Sequence, residues 1–301
     1  IVLGGGPIGC ELGQAFSRLG IRVTIVHNGP QLLPPEDRDV ADFMRERFEA
    51  EGIGVRLNAT TTHARCENGI VTLVVNGDEI SASALLIAAG RTPNTAALDL
   101  AAAGVKDNKH GVEVNDYLQT SQPHIYACGD VANRLKFTHT ADFTARAVVR
   151  NILMPLQLLR QKVDCAVVPW CTYTEPEVAH VGLGETEAKK RGIEYDLFVV
   201  PLDEIDRAVV ENEEAGFAKI LTRKGSDKIL GATLIAPHAG DLLHEFVLAM
   251  NAGIGLGKIA SMIHAYPTFA ELARKAGDKY NKTRLTPFAK KLFAWRYRRA
   301  R

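Results

Sequence analysis

The chain has 301 residues, 46% of them hydrophobic and 24% charged, with a formal net charge of +1. That balance excludes a disordered polyelectrolyte, a collagen-like repeat and a disulfide-framework mini-protein, and the length suits roughly two or three domains. Charge is unevenly placed: residues 284–301 hold seven of the 36 basic side chains and no acidic one, which leaves 29 basic against 35 acidic over the rest, and an acidic body is poorly suited to nucleic acid.

The chain opens on Ile1–Leu3, which reads as a buried strand. Three residues are short against the usual run of about five or six, so sequence is expected upstream of it. A helix follows over Cys10–Leu19, closed by Gly20, then a β-branched strand over Arg22–His27. Asp37–Glu51 reads as a helix with Val40, Phe43, Met44 and Phe48 on one face and Gly52 at its end, and Val55–Leu57 as a third strand. This β-α-β-α-β order is the first half of a doubly wound parallel sheet. Ala64–Glu67 and Ile70–Val75 read as a hairpin around Asn68-Gly69, with a further turn at Asn76-Gly77. Ala84–Ala88 is an apolar strand broken by Gly90-Arg91-Thr92-Pro93-Asn94. A second unit over about 95–160 carries a strand at Ile125–Ala127 and a helix over Thr140–Leu153. Beyond Pro155, segments near 172–182, 195–200, 216–222 and 228–236 read as antiparallel strands, with helices over Thr186–Arg191, Gly240–Asn251 and Thr268–Lys279, an α+β arrangement.

The most specific motif is Gly4-x-Gly6-x-x-Gly9, between a strand and a helix. Gly4 permits the tight turn, Gly6 lets a pyrophosphate approach the backbone, and Gly9 lets helix and strand pack closely. Pro7 and Ile8 complete the loop, and the helix start offers N–H groups and a positive dipole end to phosphate. At the end of the second strand, where NAD-selecting sites carry a carboxylate for the ribose 2′-hydroxyl, this chain has His27 followed by Asn28. That tilts the cofactor toward NADPH, although His27 also reads as an ordinary exposed strand-end residue. Gly182-Leu183-Gly184 and Gly253-Ile254-Gly255-Leu256-Gly257 lack the third glycine at the required spacing and read as turns or helix ends. The five cysteines, Cys10, Cys66, Cys128, Cys165 and Cys171, form no C-x-x-C or C-x-x-x-x-C pair. With no apolar run of membrane-spanning length and no signal peptide, a cytoplasmic protein is expected.

Five segments in order, Gly4–Glu11, Ala89–Asn94, Thr120–Asp130, Tyr173–Gly182 and Pro267–Glu271, carry a family resemblance. The chain resembles the class I pyridine nucleotide–disulfide oxidoreductases, FAD flavoenzymes that include dihydrolipoamide dehydrogenase, glutathione reductase and mercuric reductase. The resemblance implies an α/β fold with a Rossmann-like NAD(P)-binding domain over 1–90, the C-terminal part of an FAD-binding domain over 91–160, an α+β dimerisation domain over 165–285 and a basic aromatic tail over 286–301. It implies FAD and NAD(P)H as cofactors and a homodimer in which each active site borrows residues from the partner. Gly129 and Asp130 would meet the flavin ribityl chain. Gly90 and Arg91 would line the cofactor site, and the helix beginning near Thr138, His139 and Thr140 would aim its N-terminus at the flavin. Glu11 would sit beside flavin and nicotinamide, paired with a lysine of an upstream segment.

Two departures matter. The family's first FAD segment, with its own glycine motif and redox cysteine pair, is not among these residues. Disulfide-reducing members also carry a His-Pro-Thr with a Glu five residues after the His, whereas here Tyr266-Pro267-Thr268 precedes Glu271. A phenol of pKa about 10 moves protons poorly near neutrality. Mercuric reductase resembles this chain in carrying Tyr there, and His264, two residues earlier, is expected to point elsewhere. The resemblance therefore implies a mercuric reductase-like oxidoreductase, with a small-molecule or metal-ion acceptor. A dihydrolipoamide dehydrogenase-like enzyme and a non-catalytic NAD(P)-binding fragment are the rivals. The basic tail, with Phe288, Leu292, Phe293, Trp295 and Tyr297 among its cations, reads as a terminal helix that frays or packs in a dimer, or as a contact with an anionic membrane surface.

Overall fold

The computed structural model describes residues 1–132, 135–154, 156–164 and 166–299, with the side chains of Gln157 and Arg299 left aside; Cys165 lies outside the described residues. Two compact units divide the chain, Ile1–Ala89 together with Pro169 onward, and Gly90–Val168.

The first unit begins with β1 (Val2–Leu3), α1 (Pro7–Arg18), β2 (Thr24–Val26), α2 (Arg38–Ala50) and β3 (Gly54–Arg56). A meander follows, β4 (Thr61–Glu67), β5 (Ile70–Val75) and β6 (Asp78–Ala82), and then β7 (Leu86–Ile87). The four-stranded sheet has the order β3-β2-β1-β7, its printed pairings all parallel, with Val2 opposite Ile25 and Leu86. This is the doubly wound half expected from the alternation of strands and helices. The strand expected over Ala84–Ala88 narrows to two residues, and the turn at Asn76-Gly77 leads into a third meander strand that the polar run Asp78-Glu79 concealed. α1 starts three residues earlier than expected, because Pro7 occupies a first-turn position where its missing N–H costs nothing.

The second unit holds β8 (Asp107–Asn108), β9 (Gly111–Val112) and α3 (Thr138–Leu153). No strand forms at Ile125–Ala127: Tyr126 makes only an isolated antiparallel bridge to Gln119. The apolar run is real, but no neighbouring strand extends the ladder. Buried Asn151 fastens the end of α3, giving its Nδ2 protons to the carbonyls of Tyr117 and Gln161 and accepting the Gln161 N–H at 2.7 Å.

From Pro169 the first unit resumes with β10 (Pro169–Thr172), β11 (Glu177–Gly182), α4 (Glu185–Lys190), β12 (Tyr195–Pro201) and α5 (Asp206–Glu211). β13 (Phe217–Arg223), β14 (Ile229–Ala236), α6 (Ala239–Leu242), α7 (His244–Ala252), α8 (Leu256–Ile259), α9 (Glu271–Thr283) and α10 (Pro287–Arg299) complete it. The five strands form one antiparallel sheet in the order β10-β11-β14-β13-β12. The single segment expected near 172–182 is two strands, and the helix expected over Gly240–Asn251 is α6 and α7 in succession.

One core joins the two sheets of this unit. Val2, Cys10, Ile25, Leu33, Met44 and Phe48 pack with Val178 and Ile235 of the antiparallel sheet, and Phe43 meets Phe217 edge-on at 5.9 Å. A buried ion cluster reinforces this seam. The Lys219 side chain on β13 is 2% exposed, and its Nζ lies 3.1 Å from Asp37, 2.8 Å from Asp39 and 2.7 Å from Glu185. Asp37 precedes α2 but does not cap it; its carboxylate accepts the backbone N–H groups of Glu185 and Thr186 at the start of α4. Burial alone would raise its pKa, but those two N–H groups and the Lys219 ammonium bring it down to about 2.

Candidate nucleotide and dyad sites

The glycine loop between β1 and α1 is shaped by close backbone approach. Gly4 has φ +121°, and a Cβ there would sit 2.3 Å from the Ala88 carbonyl oxygen; a Cβ on Gly9 would sit 1.9 Å from the Gly4 carbonyl oxygen. At Gly6 the same construction meets nothing within 4 Å. Gly4 and Gly9 are thus glycine because the chain is crowded, and Gly6 because the space before it is open. Gly6 is the N-cap of α1 and has no side chain to satisfy the helix start, Pro7 has no N–H, and the N–H groups of Ile8 and Gly9 have no carbonyl one turn back. Donors at a positive dipole end facing open space suit an anionic group such as phosphate.

His27 does more than its position suggested. Its Nδ1 accepts the Gly5 N–H at 3.2 Å, and the Gly5 carbonyl accepts the Leu33 N–H at 2.7 Å. Both polar groups of Gly5 are therefore held by the segment that follows β2. Burial pushes the imidazole pKa down, so the ring is held neutral with its proton on Nε2. That Nε2 is buried and has no hydrogen-bond partner among the described residues.

Glu11 on α1 accepts the Tyr173 N–H at 2.9 Å. It lines a cavity of about 380 Å³ with Arg18, Tyr173, Glu175, Glu177 and His238. Arg18 is held by Glu51 and Glu175, and Gln14 bridges to Glu175 through both its amide oxygen and nitrogen. Nearby Cys171 has its thiol pKa driven well above the usual range by burial and by the Glu177 carboxylate at 3.7 Å, so it is a poor nucleophile.

Tyr266 and Glu271 take different partners within this chain. The exposed Tyr266 hydroxyl donates to Asp206 at 2.8 Å, and that bond, with the charge behind it, raises the phenol pKa further. Glu271 is buried at the start of α9; Oε1 accepts from Arg274 at 2.7 Å, and Oε2 has no partner among the described residues. His264 points away from Tyr266, its Nε2 lying 3.1 Å from Glu245 Oε1.

In the second unit, Gly90 has φ +130° and open space beside it. Arg91 donates to the Lys136 carbonyl at 2.7 Å and lies 3.7 Å from the half-exposed Asp130. The Gly129 N–H donates to Thr144 at 3.2 Å. α3 begins at Thr138 with Phe137 as its N-cap, a side chain without a capping oxygen, and the His139 ring stacks on Phe137 at 5.2 Å.

Residues 1–145 match the family described as pyridine nucleotide-disulphide oxidoreductase, and residues 168–276 match the dimerisation domain of the same family. The chain belongs to the pyridine nucleotide-disulphide oxidoreductase family. It is 35% identical to a mercuric reductase of Staphylococcus aureus over 287 residues, 93% of this chain and 52% of that protein. It is 34% identical to a dihydrolipoyl dehydrogenase of Geobacillus stearothermophilus over 283 residues, covering 92% and 59% of the two. Among solved structures, the HOCl-induced flavoprotein disulfide reductase RclA of Escherichia coli, as its Cu(II) complex, superposes with a TM-score of 0.85 at 29% identity, over 92% of this chain and 63% of that one. The chain thus spans a little over half the length of these curated relatives.

Sequence reasoning missed several residues that shape this member of the pyridine nucleotide-disulphide oxidoreductase family. Asp206 gave no signal, because its contact with Tyr266 spans 60 positions. Lys219 did leave one: a lysine inside the apolar run Phe217–Leu221 announces a buried cation. Among the described residues Cys10, Cys66, Cys128 and Cys171 are all unpaired thiols, and no helix is long and apolar enough to cross a membrane.

Proposed function

We propose that this chain forms the NAD(P)H-binding and dimer-forming part of an FAD-dependent oxidoreductase of the mercuric reductase type. It would act as a cytoplasmic homodimer, delivering electrons from NAD(P)H to a redox cysteine pair and on to a soft metal ion or another non-glutathione acceptor. The observation that carries this reading is the Tyr266 hydroxyl, bound to Asp206 and raised in pKa. A phenol in that state is a poor proton shuttle for thiol–disulfide exchange, while a metal-ion acceptor makes little demand for one.

The roles follow the geometry. The backbone of Gly4, Gly6, Pro7, Ile8 and Gly9 would hold the nucleotide pyrophosphate in the open space at Gly6. His27, at the end of β2 where NAD-selecting sites carry a carboxylate, would leave the adenosine-ribose end free of negative charge, which suits the 2′-phosphate of NADPH. Gly90, Arg91, Gly129, Asp130, Thr138 and His139 would hold FAD, with the positive dipole end of α3 turned to the flavin. When bound, flavin supplies a hydride acceptor for the nicotinamide and an electron donor for the cysteine pair. Glu11 would orient groups at the nicotinamide end, and Tyr266 and Glu271 would be lent to the partner subunit.

The test is rapid mixing of NADPH or NADH with flavin-loaded protein that carries the cysteine pair, followed by Hg(II)-dependent NADPH oxidation. Bleaching of the flavin band and Hg(II)-stimulated turnover are expected; absence of bleaching with both nucleotides would sink the proposal. The His264–Glu245 pair favours a second reading: an imidazole beside a carboxylate can move protons for a dithiol substrate. High lipoamide turnover that falls in His264→Gln would move the assignment to a dihydrolipoyl dehydrogenase-like enzyme.

A further inference from the structure

The last helix breaks the pattern of the rest of the fold. α9 buries Leu272, Ala273, Ala276 and Tyr280 against the body. In α10, Phe288, Leu292, Phe293, Trp295 and Tyr297 are instead between 48% and 75% exposed. Five large apolar side chains within ten residues form a patch that ordinary protein surfaces avoid. Phe288, Leu292 and Trp295 follow i, i+4, i+7 spacing, and Ala289, Phe293 and Tyr297 follow i, i+4, i+8, so they form two adjacent stripes. Lys290, Lys291 and Arg298 take the remaining arc. Arg296 lies between the stripes on a stem long enough to carry its charge to the edge, and Arg299 follows on the first stripe, four positions after Trp295.

We propose that α10 is a membrane-surface helix whose partner is the anionic face of a lipid bilayer. Charge complementarity carries the choice: from Arg284 onward there are seven basic residues and no acidic one, on a chain otherwise richer in acids than bases. Thirteen residues make a helix of roughly 20 Å, too short and too charged to span a bilayer, so it lies along the surface with its aromatic stripes at headgroup depth. A second copy of the same helix would bring like charges together. Nucleic acid would satisfy the cations but leave Phe288, Leu292 and Phe293 in water. Repulsion between the acidic body and an anionic surface fades beyond a screening length of about 8 Å at physiological salt.

The test is co-sedimentation of the full chain with phosphatidylcholine vesicles, with and without phosphatidylserine. Binding is expected only to the mixed vesicles, weakened about fivefold by each of Lys290→Gln and Lys291→Gln and lost on deletion of 287–301. The pair Phe293→Ser and Trp295→Ser, which leaves the charge unchanged, should weaken it by about tenfold or more. Trp295 emission should shift to the blue and be quenched by brominated lipid, with Trp295→Phe as the blank. Equal sedimentation of the full and deleted chains would overturn the proposal. So would binding that ignores the Phe293 and Trp295 substitutions and is competed away by an oligonucleotide, which would mark a polyanion site. A change of oligomeric state on deletion, without vesicle binding, would assign the helix to a second copy.

Discussion

Lys219→Met removes the cation from the seam between the parallel sheet and the antiparallel sheet. Methionine matches the length of the lysine stem, so the packing of β13 is retained and the electrostatic loss is isolated. Three carboxylates are then left around a buried point. The Asp39 side chain is 52% exposed and Glu185 20%, so water relieves both, whereas Asp37 is buried and keeps its two backbone donors and the Thr186 side chain. Breaking a buried ion pair costs about 3–5 kcal/mol, and the access of water to Asp39 and Glu185 places this loss near about 3 kcal/mol. The assay is urea unfolding followed by Trp170 emission in a Trp295→Phe background. Trp170 is then the sole tryptophan, and its Nε1–H donates to Glu36 beside the cluster at 2.7 Å. At about 1–3 kcal/mol per molar urea, the midpoint should fall by about 1 M or more. Asp37→Asn adds a check with a defined pH dependence. The drop from 3.8 to about 2 amounts to about 2 kcal/mol of folding free energy at about 1.4 kcal/mol per unit. Because folding depresses this pKa, the contribution is full above the unfolded value near 3.8 and disappears as pH falls through about 2. The gap between wild type and Asp37→Asn should therefore be constant at neutral pH and close on acidification. A loss below about 1 kcal/mol for Lys219→Met, or strict additivity with Asp39→Asn, would refute the view that this cluster fastens the two sheets.

Three further outcomes are expected. Gly9→Ala would place a methyl group 1.9 Å from the Gly4 carbonyl oxygen, so NADPH binding by fluorescence titration should weaken at least about tenfold; unchanged affinity would show that the loop gives way without losing its cradle. His27→Glu should shift the kcat/KM ratio toward NADH by about tenfold or more, since a carboxylate accepts the ribose hydroxyl and repels the 2′-phosphate; an unchanged ratio would remove His27 from cofactor choice. Exposed Cys66 should react with iodoacetamide in the native chain at pH 8. Cys10, its thiol pushed up to about 12 by burial and then by Glu11, should react only after unfolding, and peptide mapping that finds native Cys10 labelled would contradict the packing described for α1.

Much of the fold was legible because local rules and global packing agree in it. The glycine spacing, the apolar face of α2 and the strand–helix alternation each point to the same parallel sheet, and Asn68-Gly69 marked the β4–β5 hairpin of the separate meander. Misreadings arose where local and tertiary signals part. Ile125–Ala127 has strand composition, but a strand needs a ladder partner. The helix expected from Asp37 starts at Arg38, and the Asp37 carboxylate is claimed by α4 and Lys219 from about 150 and 180 positions away. The Asp78–Ala82 strand carries charges on an edge and gave no apolar run.

By itself the sequence determined the class of the protein: a three-glycine motif of nucleotide-binding spacing, a flavoenzyme family written in five ordered segments, a tyrosine in place of the dyad histidine, and a tail of cations and aromatics. Tertiary structure alone decided what those groups touch. It tied His27 to the glycine loop and left its Nε2 without a partner among the described residues, turned Tyr266 to Asp206, and held Glu271 to Arg274. It also left the tail helix exposed. The physical reason is that spacing fixes which residues share a local turn or face, whereas the pKa and the reach of a side chain depend on charges and burial supplied by segments far away in the chain.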